Sequence, residues 1–87
     1  LTQCIRLDLD CADVCLATAG LAARRAGSNE ALIKRMLDTC VEACADCAVE
    51  CEKHAEMHEH CRICAEECRR CEGACREAAS SITLSRH

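Results

Sequence analysis

Small apolar and sulfur-bearing residues recur at three- and four-residue intervals along most of the chain, which is the period of an amphipathic α-helix. The clearest interruption is the run AGSN at 26–29. Gly27 is typical of a helix end there, and Ser28 or Asn29 is typical of the start of the next helix. The pattern therefore predicts a first helix over about 2–26 and a second helix that begins near residue 30.

A further boundary has to fall within 30–80, because the two cysteine stripes in that stretch do not share one face. The cysteines of 40–51 lie within about 60° of helix surface and those of 61–75 within about 80°, but the two stripes are rotated by about 100°. A single rod of about 50 residues would also be ~75 Å long and would bury neither stripe. We therefore predict a turn within KHAEMHEH (53–60). The predicted helices are about 2–26, 30–54 and 58–80, followed by a loose tail, SITLSRH, at 81–87.

The same stripes predict how the helices pack. The thiols occupy the first half of the first helix, the second half of the second helix and most of the third, starting from its first turn. Up-down-up packing places these segments side by side at one end and the aliphatic segments at the other. The predicted fold class is all-α: an antiparallel up-down helical bundle of three helices with a cysteine-lined core, in one domain over 1–87.

Composition shows why the cysteines must form much of this core. The chain has 87 residues, with 12 cysteines and no Phe, Tyr or Trp. A chain of this length buries only about 60–65% of its unfolded surface and is marginally stable without additional restraints. Such a high cysteine content is typical of a disulfide or metal scaffold.

The charge pattern excludes two classes of partner. The net charge is −4 and both signs are interspersed, which argues against a nucleic-acid surface or an anionic membrane surface. No apolar run approaches the roughly 18 residues that a membrane span needs. We therefore expect no nucleic-acid partner and no membrane partner.

The spacing of the thiols favours metal binding over disulfides. Residues three or four apart on a helix have Cβ atoms about 5–6 Å apart, whereas a disulfide needs about 3.5–4.5 Å. A metal ion can bridge two sulfur atoms at the larger spacing. Two alternatives stay open: six disulfides, favoured by the even count and small size, and cysteine used simply as a small hydrophobic residue.

The choice of metal follows from the length of the thiol ladders. The pairs Cys44–Cys47, Cys61–Cys64 and Cys68–Cys71 have C-x-x-C spacing that suits zinc, but a structural zinc site stops at four ligands. The Cys-Pro ending of a ferredoxin cluster motif is absent. Soft thiolates select Cu(I), and bridging would allow a capacity on the order of ten ions. The predicted ligands are Cys4, Cys11, Cys15, Cys40, Cys44, Cys47, Cys51, Cys61, Cys64, Cys68, Cys71 and Cys75.

Soft donors other than cysteine cluster in the predicted turn. His54 and His58 extend the spacing of the second helix's ladder, and we predict them as further ligands, with Met57 and His60 at a port for incoming ions. A solvated polar turn is the alternative. Asp8 interrupts the ladder of the first helix, where we expect it to accept a thiol hydrogen bond or to bind an ion weakly. An edge carboxylate that reaches solvent is the alternative there.

Three segments carry a resemblance to a known family. They are CIRLDLDCADVC (4–15), CVEACADCAVECEKHAEMHEHC (40–61) and CRICAEECRRCEGAC (61–75). Together they closely resemble the cytosolic branch of the bacterial copper storage proteins, over about 4–79. The resemblance implies a four-helix bundle whose inward cysteines store many Cu(I) ions in the cytoplasm, usually as a tetramer, with an opening near the His-rich turn. It also implies that each cysteine of this chain is a ligand.

The resemblance also sets an expectation about the start of the chain. Members of the family have a further cysteine-rich helix, and this chain begins where that helix would end. We expect that the helix was removed or that this is a shortened member. Three helices would leave one side of the thiol core open, to be covered by a partner chain of a homo-oligomer.

The predicted function is a Cu(I) store rather than an enzyme, because no nucleophile is paired with a base at catalytic spacing. A copper chaperone or copper enzymes are the expected protein partners. Two other functions stay open: a zinc or cadmium buffer of metallothionein type, and a redox-sensing thiol protein whose cysteines form disulfides.

Overall fold

The computed structural model describes residues 2–82, which form three α-helices and one 3₁₀ turn. The helices are α1 (Thr2–Ala23), α2 (Glu30–Glu52) and α3 (Glu59–Ser81), and the 3₁₀ turn is Gly27–Asn29. No strand occurs in this part of the chain, so the all-α prediction is confirmed. Residues 83–87 of the predicted tail lie outside the described residues. Within 2–82, no helix combines the length and the apolar character that a membrane crossing requires.

The first interhelical connection differs from its prediction. Helix α1 ends at Ala23, three residues before the predicted end at 26. The side chain of Asn29 closes the connection, because its Oδ1 accepts a hydrogen bond from the Ala26 N–H at 2.8 Å and its Nδ2 donates to the Arg24 carbonyl at 3.2 Å. No glycine of residues 2–82 has a positive φ. Gly27 lies in the 3₁₀ turn and not at the end of α1. The prediction that it caps this helix was therefore wrong, and the side chain of Asn29 supplies hydrogen bonds to the connection instead.

The second connection lies within the predicted segment 53–60. Helix α2 ends two residues before the predicted 54, and α3 begins one residue after the predicted 58. The turn is tight, because the carbonyl of His54 accepts hydrogen bonds from the N–H groups of both Met57 and His58, at 3.1 and 3.0 Å. A connection this short makes α2 and α3 antiparallel neighbours.

Helix α2 is the central element of the bundle. Both α1 and α3 pack against it, and their own backbones have little direct contact with each other. The first thiol of α1 lies beside the last thiol of α2, with Cys4 and Cys51 Sγ atoms 2.8 Å apart. At the other end of the ladder, Cys15 and Cys40 Sγ atoms are 3.1 Å apart. These two contacts establish the predicted antiparallel order and its register.

The buried side chains form two separate clusters. The larger cluster consists mainly of cysteines from all three helices. The smaller one is aliphatic and contains Ile33 and Leu37 of α2 together with Ala79 and Ile82. This division confirms the prediction that up-down-up packing separates a thiol-rich part from an aliphatic part.

Candidate metal centre

Every cysteine of the chain is a free thiol, and none is exposed. Eight are buried: Cys4, Cys11, Cys40, Cys44, Cys47, Cys51, Cys61 and Cys68. Four are half-buried: Cys15, Cys64, Cys71 and Cys75. The helical spacing of these residues therefore directs all of them towards the interior, as predicted, and without a disulfide among them.

The closest sulfur–sulfur approaches run between helices rather than along them. Within one helix, the Sγ atoms of Cys40 and Cys44 are 4.0 Å apart, as are those of Cys47 and Cys51. Between α1 and α2, Cys11 comes within 3.2 Å of Cys44. Helical ladders on separate helices thus form a column of sulfur atoms. Within it, Cys11, Cys15, Cys40 and Cys44 each have a sulfur neighbour along the helix and another across it.

One part of this column brings together thiols from all three helices. Cys15 of α1 lies 3.1 Å from Cys40, 3.8 Å from Cys44 and 3.5 Å from Cys71, measured between Sγ atoms. These four Sγ atoms all lie within 4.8 Å of one another, and we call them the thiol group. Cys75 adjoins it, with its Sγ 3.1 Å from that of Cys40. The arrangement can hold a soft metal ion in an all-sulfur environment.

A second part includes one carboxylate, and we call it the Asp8 group: Asp8, Cys47, Cys51 and Cys64. The Oδ1 atom of Asp8 accepts hydrogen bonds from the thiols of Cys47 at 2.7 Å and Cys64 at 2.6 Å. The Sγ of Cys51 lies 3.8 Å from the same oxygen. Asp8 therefore points into the thiol column, and the oxygen takes the place that a sulfur atom would have in an unbroken ladder.

Burial keeps most of these thiols neutral. It raises the pKa of Cys44 far above its ordinary value of 9.0, and hydrogen bonds with neighbouring thiols raise it further. Burial also raises the pKa of Cys47, and Asp8 adds to the effect. Burial is again the main cause where the pKa of Cys68 rises to about 12 and that of Cys71 to about 11. The protein without metal therefore holds these side chains as thiols at neutral pH.

Cys15 is the exception. Burial would raise its pKa, but the thiols of Cys40, Cys71 and Cys44 donate hydrogen bonds that favour its thiolate and lower the pKa below the ordinary value of 9.0. Cys15 is thus the thiol of this group that loses its proton most readily, and its neighbours stay protonated and donate hydrogen bonds to it. Because the thiolate is the form that binds metals, Cys15 is the cysteine of this group best suited to form the first metal–sulfur bond.

The histidines of the turn are placed outside this column. The Nε2 atom of His54 lies 3.2 Å from Oε2 of Glu50, one helical turn earlier. The rings of His58 and His60 are 5.7 Å apart, and Met57 is 82% exposed. Among residues 2–82, neither the thiol group nor the Asp8 group includes a histidine. The metal-binding role of these side chains stays a prediction.

An open cleft runs between α1 and α3, where those helices do not meet. Its larger part is about 400 Å³ in volume. The residues that line this part are Asp8, Cys11, Ala12, Cys64, Glu67, Cys68 and Cys71. A smaller part of about 220 Å³ continues along the thiol group past Cys15, Cys40 and Cys75. The described residues thus leave one side of the thiol column accessible, as three helices were expected to do.

Comparison with known proteins identifies the family. The sequence profile described as "Copper storage protein" matches residues 1–80. This chain belongs to the copper storage protein family. The family is one of storage rather than of catalysis, which agrees with the predicted class of function.

Individual relatives agree with this membership. A structure of the cytosolic copper storage protein from Streptomyces lividans loaded with five coppers is 51% identical, with a TM-score of 0.90, over 95% of this chain and 69% of that chain. A second structure of the S. lividans protein, loaded with 10 copper equivalents, is 51% identical with a TM-score of 0.89, over 94% and 62% of the two chains. YhjQ of Bacillus subtilis (strain 168), an uncharacterised cysteine-rich protein, is 38% identical over 92% of this chain and 68% of its own length.

One residue of the copper storage fold escaped the sequence analysis. Glu67, which the sequence analysis did not single out, lines the cleft beside Cys64 and Cys71. Its position was available from the spacing, because residue 67 precedes Cys71 by one helical turn and therefore flanks the cysteine stripe.

Proposed function

We propose that this chain stores copper as Cu(I), with several ions held at once by thiolates inside the bundle. The observation that carries the proposal is the convergence of free thiols from three helices at the thiol group, where Cys15 lies within 3.8 Å of three sulfur atoms on α2 and α3. Cu(I) is a soft ion that thiolates select. Because each thiolate can bridge two ions, a continuous column of sulfur can hold a chain of them.

Charge balance supports a monovalent ion in this interior. Burial and neighbouring thiols keep Cys40, Cys44 and Cys51 neutral by raising the pKa of each. A Cu(I) ion that replaces a thiol proton leaves the interior with the same net charge, so the cost of burying isolated thiolates is avoided. A capacity on the order of ten ions fits twelve bridging thiolates, and the S. lividans relative has been loaded with 10 copper equivalents.

The proposed ligands extend from the column to the turn. The sulfur ligands are Cys4, Cys11, Cys15, Cys40, Cys44, Cys47, Cys51, Cys61, Cys64, Cys68, Cys71 and Cys75. Asp8 supplies an oxygen donor in the Asp8 group. His54 and His58 are proposed as outer ligands, which requires that His54 leave its contact with Glu50, and Met57 and His60 as weaker donors at the surface.

The proposal also covers the cellular compartment of the chain, its protein partners and its assembly. The S. lividans relative is a cytosolic protein, and free thiols persist in a reducing compartment, so we place this chain in the cytoplasm. A copper chaperone or copper enzymes would exchange ions with it, and a homo-oligomer, by resemblance a tetramer, is the proposed assembly.

An anaerobic titration tests the proposal. Reduced apo protein is titrated with Cu(I) in competition with a chromophoric Cu(I) chelator, and the loaded protein is then challenged with zinc. We expect about ten ions to be retained per chain and zinc to displace none of them. Saturation at about four ions or fewer, or displacement by zinc, would reject Cu(I) storage in favour of a zinc or cadmium buffer.

The zinc or cadmium alternative has one observation in its favour. The thiol group and the Asp8 group each offer four donor atoms within 4.8 Å of one another, which is the number that a tetrahedral zinc site uses.

The redox-sensor alternative is tested separately by counting thiols after aerobic purification, since stoichiometric and reversible disulfides would favour it.

A further inference from the structure

The two metal-binding groups of the column differ in their donor atoms. The Asp8 group joins an oxygen atom of α1 to sulfur atoms of α2 (Cys47 and Cys51) and α3 (Cys64), whereas the thiol group contains sulfur alone. Soft Cu(I) is selected by thiolates, and a carboxylate is a poor ligand for it. Zinc is bound by cysteine, histidine and aspartate side chains alike. The Asp8 group is therefore the place in the column where a divalent ion competes best.

The distances within the Asp8 group fit a tetrahedral ion after a small movement. Zinc bonds of about 2.3 Å to sulfur and about 2.1 Å to oxygen put two sulfur ligands about 3.8 Å apart and an oxygen and a sulfur about 3.5 Å apart. The Sγ atom of Cys51 lies 4.0 Å from that of Cys47 and 3.8 Å from Oδ1 of Asp8. The contacts of Oδ1 with Cys47 at 2.7 Å and Cys64 at 2.6 Å would lengthen by about 0.8–0.9 Å. That lengthening is expected once these thiols lose the protons that they donate to the oxygen.

Charge favours the same group for a divalent ion. A thiol has to lose its proton before it binds a metal. Four thiols would lose protons in the thiol group but three in the Asp8 group, because its fourth donor is a carboxylate. Asp8 is half-buried, and its hydrogen-bond partners in the column are uncharged thiols. A carboxylate in such surroundings is stabilised by a metal ion bound to it.

We propose that the Asp8 group binds one Zn(II) ion when the chain contains no copper. The ion joins α1, α2 and α3 at one point, so it holds the three helices together while the column is empty of copper. Because thiolates select Cu(I), loading with Cu(I) releases the zinc. The site follows from the donor atoms of this group, so it can be present or absent independently of copper storage.

Cobalt tests the site, because Co(II) takes tetrahedral zinc positions and its absorption reports the ligands. Reduced apo protein is titrated anaerobically with Co(II). We expect the first equivalent to give the d–d bands of a tetrahedral ion and a sulfur-to-cobalt charge-transfer band with the intensity of three thiolates. An intensity corresponding to four thiolates or to none would overturn the proposal, and so would the absence of binding.

Variants of α1 locate the ion. Asp8→Asn removes the charge and weakens the oxygen donor, so we expect the affinity for the first Co(II) to fall at least about tenfold. Asp13→Asn, at an exposed position of the same helix, is the matched control and should bind Co(II) like the unchanged protein. Equal affinities in the two variants would contradict the site. A loss in Cys15→Ala but not in Asp8→Asn would place the ion in the thiol group and contradict it as well.

Asp8→Cys offers a second readout on the same position. It exchanges the oxygen donor for sulfur, so we expect it to keep the ion and to raise the charge-transfer intensity from three thiolates to four. An unchanged intensity would show that the side chain at residue 8 does not bind the ion. Circular dichroism checks that each variant folds, and the intensity in the unchanged protein decides the donor set without any variant.

Zinc itself tests the proposed role. One equivalent of Zn(II) should raise the unfolding temperature of the unchanged protein more than that of Asp8→Asn, since the ion binds the folded state. Cu(I), supplied as its acetonitrile complex, should then release one zinc ion to a chromophoric zinc chelator. Equal stabilisation of the two proteins, or zinc retained after copper loading, would contradict the proposal. If the Asp8 group binds zinc but the chain retains no Cu(I), copper storage fails while this site stands.

Discussion

The carboxylate of Asp8 lies among sulfur atoms at a position where the period of α1 would place another cysteine. It is an acceptor for two thiols through a single oxygen atom, Oδ1. A negative charge next to a thiol disfavours the thiolate. Asp8 therefore favours the protonated form of the Cys47 and Cys64 thiols by raising the pKa of each.

The first prediction concerns that charge. Burial, and after it the hydrogen bond and charge of Asp8, raise the pKa of Cys64. Asp8→Asn keeps the size but removes the charge, so we expect the pKa of Cys64 to fall. The carbon NMR shift of its Cβ, followed against pH under anaerobic conditions, measures this. Asp13→Asn, at an exposed position of α1, is the control that should leave Cys64 unchanged; an unchanged pKa in Asp8→Asn would contradict the assignment.

The second prediction concerns a single sulfur atom. Cys47 is 0% exposed, and its replacement by Ala should remove about one or two copper ions from the total capacity while the helices persist, because the neighbouring ladders remain. Capacity is measured by anaerobic titration and helicity by circular dichroism. Val49→Ala, at a 48% exposed position of the same helix, should keep full capacity. Loss of helicity in Cys47→Ala would show that this thiol is structural rather than a ligand.

At the scale of the element, α2 supports both halves of the molecule. Its second half carries Cys40, Cys44, Cys47 and Cys51, and its first half carries the aliphatic residues that pack against α3. The four buried residues of the aliphatic cluster carry no metal-binding group, and Cys75 is the one cysteine packed against them. Substitutions in the first half of α2 should therefore change the stability of the fold, and substitutions in the second half should change the copper capacity.

The third prediction compares two adjacent residues of α2. Ile33 is 2% exposed and Leu32 is 44% exposed. Ile33→Ala should lower the free energy of unfolding by about 2–4 kcal/mol, since it removes buried apolar volume and leaves a cavity, whereas Leu32→Ala should cost less than about 1 kcal/mol. Urea denaturation of the reduced apo protein measures both. Neither variant should lose copper capacity, and equal destabilisation by the two would contradict the assignment of the core.

The helices and the start of α2 at Glu30 were predictable from the sequence, but the end of α1 was not. Residues of the cysteine stripes recur every three or four positions, and this spacing alone fixes which face is buried. The end of α1 depends instead on Asn29, whose side chain satisfies backbone groups that a cap at Gly27 would otherwise have satisfied. Gly27 and Asn29 are both residues that commonly end a helix or begin the next one, and their positions in the sequence do not show which of them forms the hydrogen bonds.

The sequence predicted which residues form the site, but it did not predict which of their sulfur atoms lie close together. Every cysteine faces inward as its spacing requires. The distances between helices, such as 2.8 Å between Cys4 and Cys51 Sγ atoms, depend on the register of packed helices and not on any local pattern. The contact of His54 with Glu50 is different, since residues four apart are neighbours on a helix and the spacing alone could have indicated it.

At the scale of the whole molecule, the described residues form a narrow bundle, 52 × 18 × 15 Å, whose larger core is sulfur. Such a core is stable without metal only while its thiols are protonated. Stability is therefore coupled to pH, and the sign of the coupling follows from the raised pKa values.

The fourth prediction is that the reduced apo protein loses stability in alkali. Burial is the first cause of the raised pKa of Cys68, about 12, and of Cys71, about 11, from an ordinary 9.0. The folded state thus binds protons that the unfolded state releases above about pH 9, so this stability is complete below pH 9 and is lost as pH rises towards 11 or 12. Anaerobic thermal unfolding against pH measures the loss.

A variant separates this effect from general alkaline unfolding. Cys71→Ala removes one of the raised thiols, so its unfolding temperature should fall less steeply above pH 9 than that of the unchanged protein. An unfolding temperature that rises with pH in this range would contradict the account.

The central claim is that sulfur atoms from three helices share copper ions inside the bundle. The most direct measurement is a crystal structure of the Cu(I)-loaded protein, with anomalous scattering recorded on both sides of the copper absorption edge. The account predicts copper peaks in a column between α1, α2 and α3, including one among Cys15, Cys40, Cys44 and Cys71. Copper found only at surface histidines or carboxylates, or cysteines joined in disulfides with no copper between them, would contradict it.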